Sequence, residues 1–86
     1  MVNAENWKLF CSKAASIMRQ ALADEITLED ASDFFEKSAY PVNEELLQYI
    51  QRAIWEIDGN RNHYMELQQL FEKGTSEIDL LDYINT

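Results

Sequence analysis

Residues 43–57 read Asn-Glu-Glu-Leu-Leu-Gln-Tyr-Ile-Gln-Arg-Ala-Ile-Trp-Glu-Ile, and this stretch decides the fold. Leu46, Leu47, Ile50, Ala53, Ile54 and Ile57 recur at helical spacing and form one buried stripe. Asn43 is a good cap for the helix, Val42 and Leu47 hold its staple positions, and Glu44 and Glu45 complement its dipole.

The same spacing extends in both directions. Downstream, Asp58-Gly59-Asn60 signals a turn, with Gly59 suited to a left-handed position just past the helix end. A fourth helix follows with Tyr64, Leu67, Leu70 and Phe71, and Gly74 stops it. Ser76 with Asp79 reads as a capping box opening a short last helix with Ile78, Leu81 and Ile84. Upstream, Thr27 caps a second helix, with Asp30 three residues on and Ile26 and Ala31 at the staple positions. Its core side is Ala31, Phe34, Phe35 and Ser38, and Tyr40-Pro41 is expected to end it, because a residue before proline avoids the α region. The first helix, capped by Asn3, places Trp7, Phe10, Cys11, Ala14, Ile17, Met18, Ala21 and Leu22 on one face. Lys8, Lys13 and Arg19 project from its opposite side. Short connections favour antiparallel neighbours, so the expected fold is all-α: a single helical domain over residues 1–86, a small antiparallel bundle of four to five helices.

Composition agrees. A content of 47% hydrophobic and 12% aromatic residues supplies a core and argues against disorder. Two Gly and one Pro leave little material for β-turns. One cysteine excludes an internal disulfide and any multi-cysteine zinc motif. No apolar run approaches the length of a signal or membrane segment, and the first residues carry no basic region, so a cytoplasmic location without membrane attachment is the expectation.

Catalytic and cofactor chemistry finds little to build on. Asp58, Asn60 and Asn62 match the opening of a calcium loop, but His63 stands where that loop needs glycine and Gln69 where it needs a bidentate glutamate. His63 is the only histidine and reads as a structural or surface residue. Cys11 lies in an apolar stripe and reads as buried and inert. Acyl carrier proteins are also small, acidic and helical, but neither Ser32 nor Ser76 stands in the Asp-Ser-Leu context that takes their prosthetic arm. No residue pattern calls for a metal or cofactor, and nothing singles out two carboxylates for general acid–base work. The expectation is a protein that is not an enzyme.

What stands out is charge. Residues 1–23 carry a balance of +2 and residues 24–86 one of −11, giving −9 overall. The densest part, residues 24–36, holds Asp24, Glu25, Glu29, Asp30, Asp33 and Glu36 with no base. On a helix, Glu29, Asp33 and Glu36 share a narrow arc opposite Phe34 and Phe35, with Asp30 flanking it. One reading is a solvated face, neutralised by Lys8, Lys13 or Arg19 of the first helix. The other is a ridge of carboxylates spaced like backbone phosphates and fitted to a basic cleft. Asp24 and Glu25 extend this ridge and have no capping role in that reading. Trp55 projects away from its helix's apolar stripe, so it either packs against another part of the bundle or stands exposed as an interface anchor. Met65 is a lesser candidate for the same role.

The stretch Ala21–Phe35, Ala-Leu-Ala-Asp-Glu-Ile-Thr-Leu-Glu-Asp-Ala-Ser-Asp-Phe-Phe, resembles the early part of colicin D-type immunity proteins. The segments Ala53–Asp58 and Leu70–Gly74 fit that family's general layout. The resemblance implies a small helical bundle that blocks a transfer-RNA-cleaving toxin by presenting acids to its basic active site. The expected function is therefore an immunity or inhibitor protein acting on a basic, nucleic-acid-handling partner such as a nuclease toxin. Its expected contacts are Glu25, Glu29, Asp30, Asp33, Glu36 and Trp55, and it binds no nucleic acid itself. The alternative is a regulatory or adaptor module that docks a partner helix in an apolar groove.

Overall fold

The computed structural model describes residues 4–38 and 42–85. It contains α1 (Ala4–Leu22), α2 (Leu28–Glu36), α3 (Glu44–Trp55), α4 (Arg61–Glu72) and α5 (Glu77–Ile84), with no strand among the described residues. Helix α1 packs on α4 and α2, while α3 packs on α2, α4 and α5. The first four helices therefore form a ring, with the α1–α4 and α2–α3 seams on opposite sides and α5 laid against α3.

The caps set the helix starts. Thr27 Oγ1 accepts from the Asp30 N–H at 3.0 Å, Asn43 Oδ1 from Glu45 and Leu46 at 2.9 and 3.3 Å, and Ser76 Oγ from Asp79 at 3.2 Å. Each such bond satisfies an amide that the helix itself leaves unpaired, worth about 1 kcal/mol. The expected Asn3 cap lies outside the described residues, as does the Tyr40-Pro41 step.

Three helix ends differ from the sequence expectation. Helix α2 stops at Glu36, where Lys37 caps it with its N–H on the Asp33 carbonyl. Phe35 is the last fully buried residue of that helix, and the exposed Lys37 and half-buried Ser38 give the chain no apolar reason to continue it. Gly59 is not left-handed. Residues 56–59 instead form successive turns without a positive φ, with Gly59 and Asn60 N–H both donating to the Glu56 carbonyl. At the end of α1 the left-handed residue is Asp24, at φ 61°. Its N–H donates to Ala21 O, and Glu25 N–H reaches Gln20 O at 2.9 Å, the paired bonds of a Schellman motif. Gly74, at φ 68°, makes the matching motif after α4 with Phe71 O and Leu70 O. Asp24 and Glu25, thought free of capping, thus close α1.

The core follows the apolar stripes closely. Trp7, Phe10, Cys11, Ala14, Met18 and Ala21 of α1 meet Ala31 and Phe35 of α2, Leu46, Ile50, Ala53 and Ile54 of α3, and Tyr64, Leu67 and Phe71 of α4. Phe10 sits at the centre of an aromatic knot, edge-on to both Phe35 and Phe71 at 6.0 Å and stacked on Phe34 at 6.3 Å. Fully burying a large apolar side chain stabilises by roughly 1.5–3 kcal/mol, so this knot dominates the packing of α1, α2 and α4. On α5 the buried residue is Leu80, while Leu81 and Ile84 are half-buried and Ile78 is 73% exposed. Helix α5 packs chiefly on α3, so one side of it finds cover and the side bearing Ile78 does not.

Two long-range polar bonds fix how the helices meet. Tyr64 is fully buried, and its hydroxyl donates to the Met18 carbonyl at 2.5 Å, joining α4 to α1. Trp7 Nε1 donates to the Thr75 carbonyl at 2.8 Å, pinning the start of α1 to the chain just past α4.

Candidate functional site

The acidic ridge is positioned by one polar contact that periodicity does not reveal. Ser32 is buried between α2 and α3, where its hydroxyl donates to Gln51 Oε1 and its carbonyl accepts from Gln51 Nε2 at 3.1 Å. A buried polar group must be paired, and Ser32 and Gln51 satisfy each other. That pairing also sets the register. The short connection of residues 37–43 favours antiparallel packing of α2 and α3, and with Ser32 opposite Gln51, one turn back along α2 and one turn on along α3 then bring Leu28 and Glu29 level with Trp55.

The helical arcs then place the side chains. On α2, Glu29, Asp33 and Glu36 lie on the Ser32 side of the core stripe, towards α3. On α3, Trp55, Gln48 and Glu44 lie on the Gln51 side, towards α2. The ridge and Trp55 therefore share one face, flanking the α2–α3 seam. Trp55 is 56% exposed, so it does not bury its ring against another part of the bundle. Met65 is 39% exposed on α4 and belongs to a different part of the surface.

The expected acidic site residues differ in their placement. Glu29, Glu36, Glu25 and Asp30 are all exposed, and Asp33 is half-buried. Asp30 turns to the other side of α2, next to Phe34, away from Trp55. Glu25 stands in the Schellman turn just before α2. Asp33 is partly offset by Lys37, whose well-exposed Nζ lies 3.7 Å from it. Such a pair is worth little. The basic first helix does not neutralise the ridge. Arg19 pairs instead with Glu72 of α4 at 3.4 Å, and among the described residues neither Lys8 nor Lys13 pairs with a carboxylate.

A second cluster escaped the sequence reading. Tyr49 of α3, His63 and Glu66 of α4, and Tyr83 of α5 meet on one side of the bundle. The His63 ring stacks on Tyr83 at 6.5 Å and stands edge-on to Tyr49 at 5.1 Å. Tyr49 Oη lies 3.4 Å from His63 Nδ1, and the Tyr83 hydroxyl donates to Glu66 Oε2 at 3.0 Å. Burial pushes the Tyr83 phenol up, and the hydrogen bond to Glu66 adds to the shift. Burial also raises Tyr49, against a hydrogen bond with Tyr83 that lowers it. The cluster fastens α5 to α3 and α4. Only the three-residue spacing of His63 and Glu66 on one helix face was visible in sequence, and it does not predict a tyrosine from a distant helix.

Chemistry elsewhere is sparse. Asn60 Oδ1 is engaged in capping α4 through the His63 N–H, at 3.4 Å, rather than held open as a ligand. Cys11 is buried, with its thiol pushed up to about 11, first by burial and then by the charge of Glu77. Among the described residues no group of three or more His, Cys, Asp or Glu is arranged to hold a metal ion. None of the described helices is long and apolar enough to cross a membrane. No family model, no curated protein and no solved structure matches the chain.

Proposed function

We propose that this chain is a non-catalytic binding protein, an immunity or inhibitor protein that occupies the basic cleft of a nucleic-acid-handling partner such as a nuclease toxin. The observation that carries this reading is the convergence of the Glu29–Asp33–Glu36 ridge and the exposed Trp55 on the α2–α3 face, held in register by Ser32 and Gln51. A nuclease cleft arranges Lys and Arg for a polyanion, so carboxylates on a rigid helix are complementary to it. Opposite charge also speeds encounter, which matters when the target is toxic. Trp55 supplies what charge alone does not, a large amphipathic surface of the kind that dominates interface hot spots. Glu29, Glu36 and Trp55 are the principal contacts in this reading, with Asp33 and Glu25 at the margin and Asp30 outside it.

The adaptor reading draws less support. The exposed large hydrophobics among the described residues, Leu9, Trp55, Met65 and Ile78, lie on four separate helices rather than along one groove.

The test begins with a pull-down from the source cell and inspection of the neighbouring genes for a basic toxin. Binding to the captured partner should weaken steeply with salt. Reversing Glu29 and Asp33 to Lys should abolish it while the circular dichroism spectrum stays helical, and Trp55→Ala should slow complex formation little but speed dissociation. Binding that ignores salt, or survives the double reversal, sinks the inhibitor reading.

A further inference from the structure

We propose that the groove between α1 and the end of α4 is a binding site for a small phosphate-bearing molecule. The groove is open to solvent and has a volume of about 350 Å³, at the small end of the roughly 300–1,000 Å³ typical of small-molecule sites. Lys8, Ser12 and Arg19 line it from a single face of α1, and Phe71, Glu72 and Lys73 line it from α4 and its cap. Three of the chain's seven basic residues thus converge on one concavity in a protein of net charge −9.

The charges in the groove do not cancel. Glu72 is engaged by Arg19 at 3.4 Å and by Gln68 Nε2 at 3.3 Å. Lys8 and Lys73 have no carboxylate partner among the described residues. Two of the last carbonyls of α4, which would repel an anion, are capped: Leu70 O accepts from Thr75 and Phe71 O from Gly74. What faces an incoming ligand is therefore the Lys8 and Lys73 ammonium groups and the exposed Ser12 hydroxyl. Ammonium donors to phosphate oxygens form the stronger, charge-assisted class of hydrogen bond. The acidic ridge does not forbid this, because it lies on the opposite seam. The shorter dimensions of the bundle are 27 and 21 Å, more than two Debye lengths of about 8 Å at physiological ionic strength. This site stands independently of the inhibitor reading.

The experiment is a protein-observed NMR titration of the full chain with adenosine 5′-monophosphate, ribose 5-phosphate and inorganic phosphate in separate arms. The expected result is saturable shifts at the Ser12, Lys73 and Gly74 amides, with an affinity loss of about tenfold or more in the doubly substituted Lys8→Gln, Lys73→Gln protein. Tighter binding of the organic phosphates assigns part of the affinity to contacts with the rest of the molecule, and equal binding of inorganic phosphate assigns the site to the free anion. Both support a phosphate site. Shifts that never saturate, that spread over the surface, or that persist in the double variant overturn it. So does a double variant that only loses thermal stability while the wild type shows no shifts, since the lysines would then serve merely the α4 dipole.

Discussion

Replacing Tyr64 with Phe removes one hydroxyl and leaves the ring in place, and the structure fixes what that hydroxyl does. The side chain is fully buried and its hydroxyl donates to the Met18 carbonyl at 2.5 Å, across the α1–α4 contact. A neutral hydrogen bond of this kind contributes about 1 kcal/mol net. With a urea m-value of about 1–2 kcal/mol/M for a domain this small, the midpoint of urea unfolding should fall by roughly 0.5–1 M at neutral pH. Tyr64→Ala should cost several-fold more, about 3–5 kcal/mol, because the ring's packing goes with the hydroxyl. The pH dependence gives a sharper check. Burial raises the Tyr64 phenol above its ordinary value of 10.0, so the folded state holds it neutral. Its contribution is therefore fully present below pH 10 and is lost as pH rises from there, because the unfolded chain ionises first. Above that point wild-type stability should fall by about 1.4 kcal/mol per pH unit from this group, a loss the Phe variant does not share. Tyr49, Tyr83 and Cys11 titrate in both proteins and cancel in the difference. The two stabilities should meet near about pH 11 and then cross. Urea titrations followed by circular dichroism from neutral to alkaline pH measure this directly. A variant as stable as wild type at neutral pH, or a difference that does not shrink above pH 10, would refute a buried, bonded phenol.

Two further outcomes follow from the same packing. Asp24→Gly should raise stability by about 0.5 kcal/mol or more, seen as a higher Tm, because glycine takes the left-handed position without the cost an L side chain incurs. Asp24→Ala should lower it, and an alanine variant at least as stable as wild type would contradict the Schellman turn. Cys11 should resist alkylation by iodoacetamide in the folded protein at neutral pH, since burial pushes its thiol up to about 11, and should react once urea unfolds the chain. Rapid labelling of the native state would place the thiol at the surface.

Local signals carried most of the fold. The caps at Thr27, Asn43 and Ser76 act as their residue types require, because a cap depends on neighbours within one turn. The stripes of α1, α3 and α4 lie inside because an amphipathic helix has one way to hide its apolar face. Local rules failed where a residue's type admits more than one outcome. Glycine is the usual left-handed residue, so Gly59 drew the expectation after α3, yet it keeps a φ below zero, while at the end of α1 Asp24 takes the left-handed position. Ile78 and Leu80 are equally apolar, and only the presence of α3 on one side of α5 decides which is covered.

The candidate site divides along the same line. Sequence alone determined that Glu29, Asp33 and Glu36 share an arc and that Trp55 leaves its helix's stripe, since both follow from helical period. It did not determine that these features share a face, that Lys8 and Arg19 of α1 turn towards α4 instead of the ridge, or that Tyr49, His63 and Tyr83 meet. Those are decided by register between helices, which depends on pairings such as Ser32 with Gln51 and Tyr64 with Met18. A buried polar atom needs a partner, and that partner lies 19 residues away in one case and 46 in the other. Periodicity says nothing about such distances; only the packed chain brings the two ends together.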